Sequence, residues 1–497
     1  MIKVYTQRVT GLPHAVHRRF FTVTTLLLAS VMLMACGGSS NSGGSSVASA
    51  ASPTASVRVI HASQDAPPVN VLVDGAVAIQ NLDYAASSGF LSLTAGSVDI
   101  VVEGIVPGGN IPVISATGLN LPENSRTTVI AVDPVATIEP LLVPDSASAP
   151  GNDQVALQVV HASPAAPAVD IYVTAPGDDI NAATPAFSID YKGYVDAGAL
   201  TAGVVQIRAA LAGTKTVVYD SDSVDLGPFA GSALMVVAVS TVNPTTQSAA
   251  PIKLLVATDS ALVELFDAST TAGARVVHAS PDAGSAAGGP VEVFASSAAL
   301  GPTPVEIIDA FVYLDTVPAV NSHVALPAGD YIFDVAPDTD SVGDSVFTSG
   351  SVTLSSGSEY TVVAAGRVLS APPFGLLFSA DNSRAVATQA SLKVVHAAPA
   401  AGDVDVYATP AGTVSVIDIE NGTAGMPLLT GFAFGEITDY VAVTSGNYDI
   451  RVVAGGVVAI NIENLTLAAG SVSTAIARGP IEPPGVPSDF GVVLLTN

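Results

Sequence analysis

The chain has 497 residues, 43 acidic against 16 basic, with a formal net charge of −27, one Cys and no Trp. Charged residues are 12% of it, about half the usual share, which argues against a disordered polyelectrolyte or a coiled coil. The acidity argues against nucleic acid as a partner, because phosphate binding needs a Lys/Arg surplus. A single Cys makes neither an intrachain disulfide nor a Cys-rich zinc site.

The first predicted element is a targeting signal. Residues 1–35 carry Lys3, Arg8, Arg18 and Arg19 and no acidic residue, and an apolar stretch runs from Phe20 to Ala35. A basic segment, an apolar segment and a small residue before the cleavage point describe a signal peptide. The sequence Leu33-Met34-Ala35-Cys36 resembles the lipobox of bacterial lipoproteins. That resemblance implies lipidation at Cys36, the only Cys, after cleavage before it. Arg18-Arg19-Phe20-Phe21 partly resembles a twin-arginine signal, but His17 stands where Ser or Thr is usual, so general secretion is favoured. Gly37 after the lipidated Cys is compatible with the outer membrane, on its periplasmic or its surface face. Residues 36–55 then form a Gly/Ser/Ala tether, with a root-mean-square reach of about 25 Å. Cleavage would remove four cations and no anion, leaving a net charge of about −31.

The body repeats. VRVIHASQDAPPVNVLV from Val57, LQVVHASPAAPAVDIYV from Leu157, ARVVHASPDAGSAAGGPVEVFA from Ala274 and LKVVHAAPAAGDVDVYA from Leu392 align on His61, His161, His278 and His396. Such spacings are domain-sized rather than solenoid-sized, and they predict repeats at 56–150, 151–270, 271–388 and 389–497. Further along each unit, two alternating runs flank Gly96, Gly203, Gly329 or Gly446, which reads as a hairpin whose Gly supplies positive φ. After these glycines Val98/Ile100/Val102, Val205/Ile207, Tyr331/Phe333/Val335 and Tyr448/Ile450/Val452 share one parity. Asp99, Gln206, Asp334, Asp449 and Arg451 take the other, as in half-buried strands. Two more strands follow in each unit, TTVIAV and IEPLLV in the first. About seven short strands per unit, with Gly, Pro, Asn and Asp between them, predict an all-β chain of four tandem antiparallel β-sandwich domains of Ig-like architecture. The longest apolar run after the signal, Ala233 to Val239, is too short to span a bilayer. Few aromatic residues and domain-sized repeats argue against a transmembrane barrel.

The signature V-V-H-A-S-P-D-A-P-x-V-D-V-Y-V resembles the bacterial domain-of-unknown-function family 4397, over essentially everything from residue 56 onward. HASP is intact at His161 and His278, while Gln64, Ala165, Ala400 and the insert Asp282–Pro290 depart from it. The resemblance implies secreted or lipid-anchored tandem domains and no established activity, and the departures argue against a catalytic Asp.

The repeated His is the first candidate site. A metal ligand or acid/base group is one reading. The other rests on parity. Val57, Val59 and His61 share a face, so the imidazole points inward where the chain turns and satisfies loop backbone groups. That structural reading is preferred, because each unit supplies one such His and a metal site needs more ligands. His323 is confined to the third unit. Asp220, Asp222 and Asp225, and Asp338, Asp340 and Asp344, are weak calcium candidates at alternate positions, without an EF-hand loop. No G-x-S-x-G, H-E-x-x-H or Walker A motif occurs, so no enzyme activity and no cofactor are expected. Tyr172 and Tyr407, on the outward parity of the second strand, could partly replace Trp in stacking on a glycan. The expected function is a lipid-anchored envelope protein with a structural or protein-interaction role. The alternative is a small-ligand, glycan or calcium binder acting through loops at the sandwich ends. Its partners would be the membrane, through the anchor, and an envelope protein or glycan, but not nucleic acid.

Overall fold

The computed structural model describes residues 52–145, 150–242, 250–318, 322–339, 341–482 and 489–496. The signal peptide, Cys36 and nearly all of the tether lie outside these residues. Repeat 1 folds into β1 (Thr54–His61), β2 (Val69–Val73), β3 (Ala76–Leu82), β4 (Leu91–Thr94), β5 (Gly96–Gly104), β6 (Ile111–Leu121), β7 (Arg126–Val132) and β8 (Glu139–Pro144). They form two sheets, β4-β1-β7-β8 and β3-β2-β5-β6. The other repeats follow the same plan, with first strands Gln154–His161, Ala272–His278 and Ala390–His396. Their seventh strands are Ala233–Ser240, Glu359–Ala365 and Val472–Arg478. The chain is all-β and built of sandwiches. Repeat 1 thus has eight strands where about seven are expected, and β3 is an edge segment in which only Leu82 is buried.

Two expectations need correction. First, pairing is not wholly antiparallel: β1 runs parallel to β7, with Val57 opposite Thr127 and His61 opposite Ala131. The same parallel register sets His161 opposite Ala238, His278 opposite Ala364 and His396 opposite Ala477. Period-2 patterning is identical for both directions, so it cannot distinguish them. The clue is that β1 and β7 are apolar on both faces, as parallel strands usually are. Second, the runs around Gly96 are not a hairpin. β4 pairs with β1, whereas β5 pairs with β2 and β6. The chain therefore changes sheet at Gly96. Positive φ is used there (125°) and at Gly329 (152°), but not at Gly203 or Gly446.

The sheet carrying β1 and β7 has protein on both sides. One face fills its own sandwich, with Val57, Val59, Val69, Val71, Ile100 and Val129 in one core. The other face meets the matching sheet of the next repeat. Ile60, Ile130, Val132 and Val143 of repeat 1 form one cluster with Val160, Met235, Val237 and Leu255 of repeat 2. Val277 and Val363 of repeat 3 join Val395, Ile476 and Leu495 of repeat 4 in the same way. The four sandwiches are thus two back-to-back pairs. Linkers brace them: the Arg384 guanidinium donates to the carbonyls of Gln64 (3.1 Å) and Ala66 (2.6 Å) and pairs with Asp83. At the end of repeat 2, the Asp267 carboxylate turns back on its own repeat and accepts the Asp220 N–H at 2.8 Å.

Ile60, Ile130, Val132 and Val143 are all 0% exposed. Burying four such side chains is worth roughly 6–12 kcal/mol, as much as the net stability of an ordinary domain. We therefore expect the fragment 53–270 to melt cooperatively. The fragment 53–150 should bind the dye ANS and lose cooperativity. A single repeat that melts sharply without binding dye would refute the paired architecture.

Candidate functional site

The chain leaves β1 at the signature loop, and most polar side chains of that loop have a definable partner. The four imidazoles are at most 1% exposed. His61 and His161 hold the carbonyls of Pro67 and Pro167 through Nε2, both at 3.1 Å, and His396 holds that of Gly402 at 2.8 Å. Each acceptor lies six residues on, so the imidazole closes the loop across its own turn. The Ala opposite each His on the seventh strand leaves room for the ring. Ser63 Oγ donates to the Asp133 carbonyl (2.5 Å) and Ser280 Oγ to the Gly366 carbonyl (2.8 Å), tying the loop to the exit of the seventh strand. The signature Asp does the same from its carboxylate. Asp65 accepts the Val135 N–H at 2.8 Å, and Asp282 accepts those of Val368 and Leu369 at 2.8 and 3.0 Å. Where Ala165 and Ala400 replace it, this tie is absent.

Three residues before each His, a polar side chain points into the seam between paired sandwiches: Arg58, Gln158, Arg275 and Lys393, all buried. In the first pair Arg58 donates to Thr128 Oγ1 (3.1 Å) and to the Thr258 carbonyl of repeat 2 (2.9 Å), and Gln158 donates to the Pro144 carbonyl (2.8 Å). In the second pair two cations meet, Arg275 of repeat 3 and Lys393 of repeat 4. Asp381, whose side chain is 0% exposed, lies between them, 3.4 Å from each. Its carboxylate also accepts from Thr361 Oγ1 (2.5 Å) and Tyr440 OH (3.3 Å) and lies 3.1 Å from His323 Nε2. His323 Nδ1 is 3.6 Å from Glu359. The Lys393 ammonium sits 4.2 Å from the centre of the Tyr440 ring. Burial alone would raise the Asp381 pKa. The His323 and Thr361 hydrogen bonds and the Lys393 and Arg275 charges outweigh it and hold the carboxyl below its ordinary value. Burial lowers Lys393 despite Asp381, and raises the Tyr440 phenol.

A sequence model of the domain of unknown function (DUF4397) matches residues 55–172 and 274–407, about half of the chain. The chain belongs to the DUF4397 family. Both matches begin at a first strand and run through the signature of the following repeat. A comparison with curated proteins finds no match. Among solved structures, the Bacillus anthracis TIE protein is similar at 9% identity and a TM-score of 0.13, over 86% of this chain and 68% of its own. A candidate cell-adhesion protein of Bacteroides fragilis is similar at 11% identity and a TM-score of 0.11, over 42% of this chain and 84% of its own.

The DUF4397 signature loops do not bring the other sequence-derived candidates together. The Asp220 carboxylate accepts the Gln206 amide at 2.8 and 2.9 Å, Asp225 caps the Gly227 N–H at 2.8 Å, and Asp222 stands at positive φ. Asp344 accepts the Thr339 hydroxyl at 3.1 Å. Asp338 donates its backbone N–H to Pro290, and Asp340 lies outside the described residues. Among the described residues no group of three or more His, Cys, Asp or Glu is placed to hold a metal ion. Tyr172 is corrected: it is 2% exposed, with the Lys215 ammonium 4.3 Å above its ring, and offers no face to a sugar. Tyr407 is half-buried. The seam was missed by sequence reasoning, although its signal was available. A polar residue recurs at one register of an otherwise apolar strand in all four copies.

Burial holds all four signature imidazoles below the ordinary histidine value, His278 at about 4. The unfolded chain then binds more protons than the folded one below about pH 6.5, so stability falls as pH drops. Asp381, with its depressed pKa, adds stability above about pH 4 and loses it on further acidification. Melting midpoints should therefore decline from pH 7 to pH 4, and His278→Phe should make the decline shallower. A midpoint that rises on acidification would contradict the assignment.

Proposed function

We propose that this DUF4397 chain is a lipid-anchored protein of the bacterial cell envelope with a structural or protein-interaction role and no catalytic activity. The observation that carries the reading is the use of the signature's polar atoms. The side chains of His61, His161, His396, Ser63, Ser280, Asp65 and Asp282 all engage backbone groups of their own repeat. Groups held in this way brace loops and are not free to attack or protonate a substrate. The lipobox at Cys36 and the Gly/Ser tether support anchoring, since a multi-chain lipid and a flexible linker hold a folded body off a bilayer. The charge of about −31 suits a body repelled by anionic headgroups. Among the described residues no helix is long and apolar enough to cross a membrane. The anchor carries attachment in this reading, and the paired sandwiches carry the contact with a partner.

Growth with a fatty-acid probe should label the full-length protein, and Cys36→Ala should abolish both the label and membrane association. Persistent labelling of that variant would overturn the anchor. Protease shaving of intact cells should release the body if it faces outward and spare it if it faces the periplasm.

A further inference from the structure

Cavities occur inside three of the sandwiches, of about 360 Å3 in repeat 2, 200 Å3 in repeat 3 and 210 Å3 in repeat 4. The one in repeat 3 differs in chemistry. Its walls are apolar, with Val276, Val293, Phe311, Phe333, Leu376 and Phe378 among them, and His278 is their single polar side chain. The cavity touches both apolar clusters into which the core of this repeat divides, one around Val293 and Phe311 and the other around Phe333 and Leu354. The strand Gly301–Phe311 beside it breaks register three times against its neighbour, which keeps the sheet from closing on the space.

His278 has lost the arrangement that the other three signature histidines share. The residue six places on is Gly284, inside the short helix Ala283–Ala287, and its carbonyl accepts the Gly289 N–H instead. The Nδ1 atom of His278 is buried without a hydrogen-bond partner, as is that of His61, but His278 alone of the four also lacks the Nε2 bond to the carbonyl six residues on. In repeat 2 the corresponding ring is fully engaged, by the Pro167 carbonyl and the Ser163 N–H. A buried imidazole that lacks both hydrogen bonds of its repeat 2 counterpart is left unsatisfied beside an apolar cavity unless something in the cavity bonds to it.

We propose that repeat 3 binds one small uncharged ring compound bearing a single N–H or O–H, its apolar body between the two sheets and its donor on a ring nitrogen of His278. The size follows from volume. A cavity of about 150 Å3 accepts benzene, so 200 Å3 accommodates about eight or nine non-hydrogen atoms. The class follows from the lining. A carboxylate or ammonium would be buried without a counter-ion, whereas burial keeps the imidazole neutral at pH 7 with one acceptor nitrogen.

Indole is a suitable probe, because the chain contains no Trp and all indole emission comes from the ligand. Titrating the full chain should give a saturable blue shift with one site. 1-Methylindole, which lacks the donor, should bind about tenfold more weakly. His278→Phe should bring the two probes to equal affinity. Ala364→Leu, beside His278 on the seventh strand, should abolish binding, while Ala238→Leu at the matching position of repeat 2 should leave it intact. Circular dichroism establishes that each variant folds, and Val335→Phe from the facing sheet replaces Ala364→Leu if that variant does not. The proposal is overturned by absence of saturation, by equal affinity of both probes for the unaltered chain, or by loss of binding in Ala238→Leu instead.

Discussion

A sheet with protein against both faces gives its side chains no access to water, so any polar group placed on it must find its partner inside. The β1–β7 sheets of all four repeats are under that constraint. It explains why their strands are nearly continuous in Val, Ile, Leu and Ala, and why two of them can run parallel at the centre. It also explains why the few polar residues they carry sit in defined networks. The sandwich is the unit of sequence repetition, but the pair of sandwiches is the unit that buries its surface.

Much of the architecture was legible from the residues. The period-2 runs gave the strands, the recurrence of His gave the repeats, and parity alone placed Val57, Val59 and His61 on one face. What parity could not give was the destination of the opposite face. Ile60 alternates with Val59 whether it meets solvent, a ligand or another domain, and only the sparing use of charge on that face hints at burial. The sheet crossover at Gly96 was hidden for a similar reason. Two alternating runs separated by Gly read as a hairpin locally, and only long-range pairing with β1 and β2 tells a crossover from a turn.

The candidate site was less legible than the fold. The signature histidines are visible in the sequence, yet their partners are backbone carbonyls, which leave no trace in composition. His323 looked incidental because it occurs once. Its partners, Glu359 and Asp381, lie 36 and 58 positions away along the chain. The calcium candidates differ in the opposite direction. Alternating Asp residues are conspicuous in sequence, but Asp220 and Asp225 turn to an amide side chain and a turn N–H.

The two seams are not interchangeable, and this bears on how four near-copies on one chain find the right neighbours. Repeat 3 brings Asp381, whose carboxylate pairs with its own Arg275 and with the lysine of repeat 4. At the positions of Glu359 and Asp381, repeat 1 has Arg126 and Asp145, already bonded to each other at 3.2 Å. If repeat 1 docked on repeat 4, Arg58 and Lys393 would meet at the seam with Asp145 already paired to Arg126. If repeat 3 docked on repeat 2, Gln158 would stand where a cation is required. The two seams therefore differ in charge, and exchanging repeats between them would leave a buried charge or amide without the partner it has here.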